Sequence, residues 1–236
     1  MISVVIPTLN REKTLSEAVD SVLAQDYENF ELIVVDDGST DGTGALLASY
    51  GDRVRVIRQP HAGVSAARNR GVAAAAGERI AFLDSDDYWL PGKLAAQAAY
   101  MRKYPECLIC QTDEIWIRNG RRVNPGLRHR KRAGFIFEPS LALCLISPSA
   151  VIMQRRLFDE EGGFDETLTA CEDYDLWLKI TCRQPVGLIE APYVVRRGGH
   201  ADQLSRQPGL DKYRIKSIAN TIAAGHLTEE QHAAAA

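Results

Sequence analysis

Three acidic clusters have residue types and spacings that could bind a cation or move a proton. In the first, Asp84-Ser85-Asp86, two carboxylates stand one residue apart directly after an apolar run. Carboxylates this close repel each other unless something neutralises them. Mg²⁺ typically takes one or two carboxylates and completes its shell with water and substrate phosphates. The pattern suits a metal–diphosphate site better than a cage of protein ligands, but taken alone it favours a solvated loop with helix-capping aspartates before Pro91.

The other two clusters each have a local and a chemical interpretation. Asp36-Asp37 follows an apolar run, where it could form a turn or a pocket floor that accepts an N–H from a pyrimidine edge. Glu172-Asp173 opens a predicted helix, where acids complement the helix dipole. A carboxylate there is also a plausible general base for a hydroxyl proton. His200 ends a polar stretch, Arg196-Arg197-Gly198-Gly199-His200, that is expected to be flexible. It becomes a candidate metal ligand only if a metal site is nearby.

The elements that must position these clusters alternate between strand and helix through the first hundred residues. Continuous apolar runs predict buried strands over 3–6, 32–35, 54–58 and 79–83. Helical spacing of apolar residues, or an alanine-rich run, predicts helices over 15–23, 44–49 and 65–76, and Pro91 opens another. Such alternation implies an α/β fold with a mostly parallel central sheet flanked by helices. Ligands gather at the carboxyl ends of such strands, which is where the acidic clusters fall.

The second half of the chain is less regular. Residues 108–117 are predicted to be extended, and Asn119-Gly120 is a hairpin signal. Further strands are predicted over 150–153 and 186–189, and further helices over 172–182 and after Asp211. No linker long enough to separate two domains is found. We therefore expect one domain over 1–236, made of a first half (1–105), a second half (106–210) and a C-terminal helix and tail (211–236).

Composition excludes several classes of protein. The 236 residues include 28 Lys plus Arg and 31 Asp plus Glu, a net charge of −3, and 45% are hydrophobic. This balance argues against disorder and against a general nucleic-acid binder. No apolar run is long enough for a transmembrane helix. Cys107 and Cys110 have no second pair or nearby His to complete a zinc set, so we expect buried thiols and a cytoplasmic location.

The segment Arg118–Arg132 contains seven basic residues and no acidic one. One interpretation is a solvated loop or hairpin. Another is a surface for an anionic acceptor or for the inner face of a membrane that carries a lipid-linked acceptor, since clustered Lys and Arg are attracted to anionic bilayers. Nucleic acid is disfavoured because no aromatic residues interleave the arginines.

Taken in order, the motifs resemble those of family 2 glycosyltransferases, which have the GT-A fold. The segments that carry the resemblance are SVVIPTLNR (3–11), FELIVVDDGSTD (30–41), ARNRG (67–71), IAFLDSDD (80–87), GFDE (163–166) and CEDYDLW (171–177). Each motif is weak alone, and the ordered set is specific. The match is dense over 1–105 and then consists of isolated motifs to about residue 205.

The resemblance implies an inverting transfer from a nucleotide-diphospho-sugar, with UDP the expected nucleotide, to a hydroxyl acceptor in cell-surface polysaccharide or glycolipid synthesis. It assigns the nucleotide-sugar site to Pro7, Thr8, Asn10, Arg11, Asp37, Arg68, Asp84 and Ser85. Within that site Asp37 would face the base, and Asp84 would lie near the ribose. Asp86 would bind Mn²⁺ or Mg²⁺, and His200 resembles a late metal-ligating His of some relatives. Asp173 would be the catalytic base, with Glu172 supporting it or touching the acceptor. The resemblance also makes 1–105 the nucleotide-sugar half and 106–210 the acceptor and catalytic-base half.

Two other functions were weighed against this one. A sugar-phosphate nucleotidyltransferase would need a Gly-rich phosphate loop after the first strand, and Thr8-Leu9-Asn10-Arg11 does not supply one. A non-catalytic relative that only binds nucleotide-sugars is disfavoured by the intact Asp37, Asp86 and Asp173. The dinucleotide, P-loop, zinc-protease and serine-hydrolase motifs do not occur.

Overall fold

The computed structural model describes residues 1–124, 126–199 and 209–236. Its strands are β1 Ile2–Thr8, β2 Phe30–Asp36, β3 Arg55–Arg58, β4 Arg79–Phe82, β5 Tyr88–Trp89, β6 Ile109–Arg118, β7 Arg121–Val123, β8 Val151–Gln154 and β9 Gly187–Gly198. Its α-helices are α1 Leu15–Leu23, α2 Thr43–Ala48, α3 Val64–Ala74, α4 Lys93–Lys103, α5 Phe137–Ala142, α6 Arg155–Glu160, α7 Glu172–Thr181, α8 Leu210–Ala223 and α9 Glu229–Ala235.

One sheet runs through the described part of the chain in the order β3-β2-β1-β4-β8-β6-β9-β5, and β7 pairs with β6. Its first half is parallel: β1 lies between β2 and β4, and β3 extends the edge beside β2. This half confirms the α/β fold class predicted from the sequence. The carboxyl ends of β1, β2 and β4 therefore share one edge, where two of the acidic clusters lie.

The second half of the sheet is mixed. Strand β8 is antiparallel to both β4 and β6, and β9 is parallel to β6 and antiparallel to β5. The hairpin predicted at Asn119-Gly120 is confirmed, because it joins β6 to β7 with φ of 49° and 74° at its two residues. Strand β9 continues to Gly198, nine residues beyond the predicted strand end at Ile189, so Arg196 and Arg197 lie in a strand. The expectation of a flexible stretch there was wrong for both arginines.

Helices cover both faces of the sheet. Along β1, Val4 and Ile6 face the core that packs against α1, whereas Val5 faces the core that packs against α3 and α7. All three are fully buried, as a central parallel strand requires. Gly71 allows α3 to approach the sheet closely, since an added Cβ would lie 2.3 Å from a Val5 methyl. This close approach sets the position of Arg68, one helical turn earlier on α3.

Within the described residues, no helix is both long and apolar enough to cross a membrane. The five cysteines are all unpaired thiols, with Cys107 and Cys110 buried as expected. The proposed division of the chain at residues 105 and 210 stays a prediction.

Candidate active site

The loops that follow β1 and β2 form a polar rim at the carboxyl edge of the sheet. Asn10 takes a positive φ of 53°, and its side-chain oxygen accepts the Thr40 amide at 2.9 Å. The amide of Arg11 donates to Thr43 Oγ1 at 2.8 Å. These contacts tie the two loops together before any ligand binds.

A cavity of about 390 Å³ opens beside this rim. Its lining residues are Asn10, Arg11, Glu12, Lys13, Thr14, Asp41 and Asp86. At the end of β1, Thr8 is buried, and its hydroxyl has no hydrogen-bond partner among the described residues. Unpartnered buried hydroxyls are uncommon, so this one is a candidate contact for a polar ligand. Pro7 is buried within β1.

Asp37 directly follows β2, and its side chain is 4% exposed. One oxygen accepts from the Gln59 side chain at 2.7 Å and from the Ala62 amide at 2.9 Å. The other accepts from His61 Nδ1 at 2.8 Å and from the Gly63 amide at 2.9 Å. Four contacts use the usual acceptor capacity of a carboxylate. Asp37 therefore fixes the loop between β3 and α3.

Arg68 connects the two halves of the site. Its Nη2 donates to Asp84 Oδ1 and its Nη1 to Glu172 Oε1, both at 2.7 Å. The guanidinium is 4% exposed and stacks over the Phe164 ring at 5.0 Å. The two carboxylates raise its already high pKa further, although burial acts in the opposite direction. The assignment of Arg68 to the nucleotide, which came from the resemblance, stays a prediction. In the structure Arg68 forms an ionic joint between the end of β4 and the start of α7.

The turn after β4 is held by a second set of contacts. Asp87 is buried and accepts from Ser149 Oγ at 2.7 Å and from the Arg197 amide at 2.8 Å. Burial and the nearby charges of Asp86 and Asp84 raise its pKa well above the usual range. Arg197 also donates to the Asp86 carbonyl at 2.5 Å. The acidic turn is thus fixed in place by β9 and by the short helix Pro148–Ala150.

Asp173 has the properties of a general base. It stands in the first turn of α7, and Cys171 just before it adopts a positive φ of 61°. Its side chain is partly exposed but closely surrounded by protein atoms. Burial and the neighbouring Glu172 raise its pKa to about 6, against the opposing effects of Arg68 and Arg196. A carboxylate with this pKa is ionised at neutral pH and is basic enough to accept a proton.

Arg196, a cation near Asp173, was not predicted from the sequence to be part of the site. Arg196 lies close enough to Asp84, Asp87 and Asp173 for their charges to raise its pKa further, even though burial opposes them. Its guanidinium also stacks over Trp116 at 5.5 Å. The consecutive pair Arg196-Arg197 could have drawn attention to this position. Nothing in the local sequence, however, indicated that the pair lies in a strand.

A buried ion pair lies behind Arg196. Lys131 Nζ is 3.1 Å from Glu114 Oε1, and the two side chains are 8% and 1% exposed. Burial would raise the pKa of Glu114, but Lys131 and Arg196 lower it to about 2. Lys131 therefore forms a buried ion pair, although it belongs to the basic segment Arg118–Arg132 that was predicted to form a surface.

The acidic edge fits a divalent cation held mainly by its substrate. Within the described residues, no three His, Cys, Asp or Glu side chains converge as they would in a site built from protein ligands alone. Asp86 faces the cavity, and Asp84 is 29% exposed beside it. Oxygen donors of this kind, with water and phosphate, are what Mg²⁺ and Mn²⁺ accept. His200, the other predicted ligand, lies outside the described residues.

The predicted site residues therefore fall into two connected groups. Asn10, Arg11 and Asp86 border the cavity, and Thr8 is buried at the end of β1 nearby. Asp84, Arg68 and Glu172 form the ionic joint, with Asp173 next to it in the chain. Ser85 is buried in the turn between Asp84 and Asp86. Asp37 and Pro7 lie deeper in the protein and do not border the cavity.

The fold and this arrangement of carboxylates define a GT-A type glycosyltransferase. The chain belongs to Glycosyl transferase family 2, whose family model matches residues 3–162. This finding confirms the resemblance seen in the ordered motifs.

Two curated relatives illustrate the similarity. An uncharacterized glycosyltransferase of Nostoc sp. is 44% identical over 244 residues, covering 98% of this chain and 70% of the relative. UDP-Glc:alpha-D-GlcNAc-diphosphoundecaprenol beta-1,3-glucosyltransferase WfgD of Escherichia coli is 33% identical over 196 residues, covering 82% of this chain and 75% of the relative. Several uncharacterized Rickettsia glycosyltransferases also match, and the chain spans only 27% to 58% of their lengths.

Solved structures share the fold. S. aureus TarS 1-349 in complex with UDP superposes with a TM-score of 0.77 at 25% identity, covering 98% of this chain and 68% of that one. Mannosyltransferase PcManGT from Pyrobaculum calidifontis, in complex with GDP-Man and Mn2+, superposes with a TM-score of 0.65 at 19% identity, covering 94% and 64%. The second likeness shows the fold alone.

Proposed function

We propose that this chain is an inverting, metal-dependent glycosyltransferase that moves a sugar from a UDP-sugar to a hydroxyl group of a lipid-linked or other carbohydrate acceptor. The observation that carries the proposal is the joint made by Arg68. It holds Asp84, at the donor edge, and Glu172, beside the base, on one guanidinium. Arg68 thereby fixes the position of the acidic turn after β4 relative to Asp173, the proposed base, whose pKa is about 6.

The chain's own residues supply the acid–base chemistry. Asp173 removes the proton of the acceptor hydroxyl as the acceptor oxygen attacks the anomeric carbon and the bond to the nucleotide diphosphate breaks. A single displacement with one base inverts the anomeric centre, whereas retaining glycosidases use a second carboxylate as a nucleophile. Glu172 keeps Arg68 in place and raises the basicity of Asp173 through its charge.

The leaving group develops negative charge that must be stabilised. Arg196 supplies a fixed positive charge between the donor edge and the base. A Mn²⁺ or Mg²⁺ ion, when bound, would act as a Lewis acid on the diphosphate, and Asp86 is the residue that would hold it. Asn10, Arg11 and the hydroxyl of Thr8 would bind the nucleotide.

The choice of UDP and of a lipid-linked acceptor rests on the relatives. WfgD is named for a UDP-glucose donor and a diphosphoundecaprenol acceptor, and one TarS structure contains UDP-GlcNAc. The polar rim around Asn10 and the acidic turn at Asp86 agree with a nucleotide-diphosphate donor.

A thermal-shift panel of nucleotides and nucleotide-sugars, with and without Mn²⁺, tests donor binding. A ligand at 100 times its Kd should add about 2.7 kcal/mol of stability. We expect UDP-sugars with Mn²⁺ to raise the Tm most, and Asp86→Ala to remove the additional shift that the metal produces. Failure of every nucleotide to raise the Tm would refute the proposal. Pyrophosphate formation from UTP and a sugar phosphate would indicate a nucleotidyltransferase instead.

A further inference from the structure

An exposed cationic and apolar surface lies on the segment from the end of β6 to Phe135. It consists of the exposed side chains of Arg118, Arg121, Arg122, Leu127, Arg128, Arg130, Arg132 and Phe135, which we call the basic loop surface. Leu127 is 89% exposed and Phe135 is 70% exposed. Neither the donor site nor the proposed base uses any of these residues.

The described part of the chain offers no carboxylate partner to the arginines of this surface. The sequence has no Asp or Glu from residue 115 to 137. Among the described residues, none of the six arginines forms an ion pair, whereas Arg155 pairs with Asp159 and Arg214 with Asp211. An uncompensated positive field of this kind attracts an anionic partner.

The inner side of the same segment is fixed to the protein. Lys131 is paired with buried Glu114, and the Gln111 side chain donates to the Arg132 carbonyl at 3.1 Å. His129 packs edge-on against Trp116, with ring centroids 5.2 Å apart. Because Lys131 is held inward, its flanking arginines are left at the surface.

This fixed segment is adjacent to the proposed catalytic base. The Trp116 ring contacts His129, and the guanidinium of Arg196 stacks over the same ring at 5.5 Å. Arg196 lies within electrostatic range of Asp173, whose negative charge helps to raise the pKa of Arg196. A partner seated on the basic loop surface would therefore stand beside the acceptor side of the site.

We propose that the basic loop surface docks on an anionic lipid bilayer, with its arginines on headgroup phosphates and with Leu127 and Phe135 in the boundary between headgroups and acyl chains. Docking presents a membrane-borne acceptor to Asp173, and this last step rests on the proposed function. Clustered arginines with a few exposed apolar side chains are the composition of interfacial membrane contacts. A nucleic acid is less suited, because Phe135 is the single aromatic ring in the basic loop surface, whereas single-strand binding sites stack successive bases on several aromatic side chains.

Vesicle sedimentation of the full chain tests this proposal. We expect binding to vesicles of phosphatidylcholine containing one quarter phosphatidylglycerol, and little binding to pure phosphatidylcholine. Each surface arginine should contribute about fivefold to the partition coefficient. The pair Arg128→Gln and Arg130→Gln should therefore lower it roughly 25-fold, and Leu127→Ser should lower it about tenfold at low and high salt alike.

A charge-matched control separates this surface from a general effect of charge. Arg102→Gln with Lys103→Gln removes two exposed positive charges from the end of α4 and should change binding less than twofold. Circular dichroism verifies that each variant is folded. Equal loss in the control pair, equal binding to neutral vesicles or no vesicle binding at low salt would overturn the proposal. Tighter binding to single-stranded oligonucleotides than to vesicles would also overturn it.

The two proposals fail in different ways. Vesicle binding needs no sugar transfer, so it survives if the donor panel finds no nucleotide ligand. A chain that binds UDP-sugars but not anionic vesicles retains its proposed function and loses only the docking surface.

Discussion

Asp173 is placed so that its loss should separate chemistry from donor binding. Its backbone neighbour, the Tyr174 amide, donates to Oδ1 at 2.8 Å, a contact that an asparagine oxygen can keep. Asp173→Asn therefore preserves the local fold and removes the base. We expect kcat for sugar transfer to fall by about 10²- to 10⁴-fold, with an unchanged Kd for the UDP-sugar by calorimetry.

Asp159→Asn provides the matched control, since Asp159 is 56% exposed on α6 and lies outside the described site. It should leave kcat within about twofold of the wild type. A loss of less than threefold in Asp173→Asn would show that another group takes the acceptor proton.

The charge of Glu172 should be visible in the pH dependence of turnover. Burial and Glu172 raise the pKa of Asp173 to about 6, and only the ionised form accepts a proton. The value of kcat/KM should therefore rise with pH through about 6 and level off above it. Glu172→Gln removes a negative neighbour and leaves Arg68 less compensated. Both changes lower the pKa of Asp173, so the acid limb should move to lower pH.

The full pH profile of kcat/KM in wild type and Glu172→Gln is the measurement. The position of the limb reports ionisation of Asp173 even if the substitution lowers the plateau. A limb that stays at the same pH would mean that burial alone sets this pKa.

Arg68 joins structural elements, so its prediction concerns how they are held. It connects α3 to the end of β4 and to the start of α7, and its removal leaves Asp84 and Glu172 without their cation. Breaking a buried pair in this way typically costs about 3–5 kcal/mol. Arg68→Met should lower the free energy of unfolding by about that amount in urea denaturation, and Arg68→Lys should restore little of it, because an ammonium lacks the guanidinium fork.

Arg70→Met, an exposed substitution on the same helix, is the matched control and should stay within about 0.5 kcal/mol of wild type. Adding Asp84→Asn and Glu172→Gln to Arg68→Met should recover part of the loss, because the uncompensated charges are then gone. Equal destabilisation by both single Arg→Met variants would assign the effect to α3 itself.

The elements of the first half could be predicted because each is encoded locally. The apolar runs of β1 and β2 and the helical spacing of α1 are buried as the sequence indicates. Strand β9 could not be predicted in full. Pro192 interrupts its apolar pattern, and its register against β6 shifts around Asp113. Strand β9 forms because it pairs with β5 and β6. Such long-range pairing cannot be predicted from a local sequence pattern.

The same distinction applies to the candidate site. The acidic clusters were visible because Asp and Glu at strand and helix ends are a local signal. The pairing of Arg68 with residues 16 and 104 positions away was not, nor was the approach of Arg196 to Asp173. These contacts depend on how the two halves of the sheet meet.

Across the whole molecule, a net charge of −3 is the sum of two separate regions. Carboxylates collect at the carboxyl edge of the sheet, and the basic loop surface carries arginines that form no ion pair with any described residue. Such a separation would suit an enzyme that binds an anionic donor together with a metal cation at one region and docks on an anionic surface through the other.

The stability of the whole fold should depend on one buried lysine. Lys93 at the start of α4 is fully buried, and its ammonium contacts Gln97 Oε1 at 2.6 Å and the Trp89 ring at 4.0 Å. Burial lowers its pKa to about 7. The neighbouring Cys110 thiol, whose pKa burial raises to about 12, stays neutral over the range concerned. Lys93 is therefore mostly uncharged in the folded protein at alkaline pH.

Between pH 7 and about 10 the unfolded chain carries a proton on Lys93 that the folded protein lacks. Stability should therefore rise with pH across this window, by at most about 1.4 kcal/mol per pH unit from this group. Below pH 7 both states are protonated, and the full cost of burying the charge is present. Lys93→Met keeps the volume and removes the titration, so its free energy of unfolding should exceed that of wild type most at neutral pH and converge with it near pH 10. Urea denaturation across this pH range measures the difference in free energy of unfolding between wild type and Lys93→Met. The exposed substitution Lys103→Met on the same helix is the control. A parallel pH dependence in wild type and Lys93→Met would show that Lys93 is buried with its charge balanced.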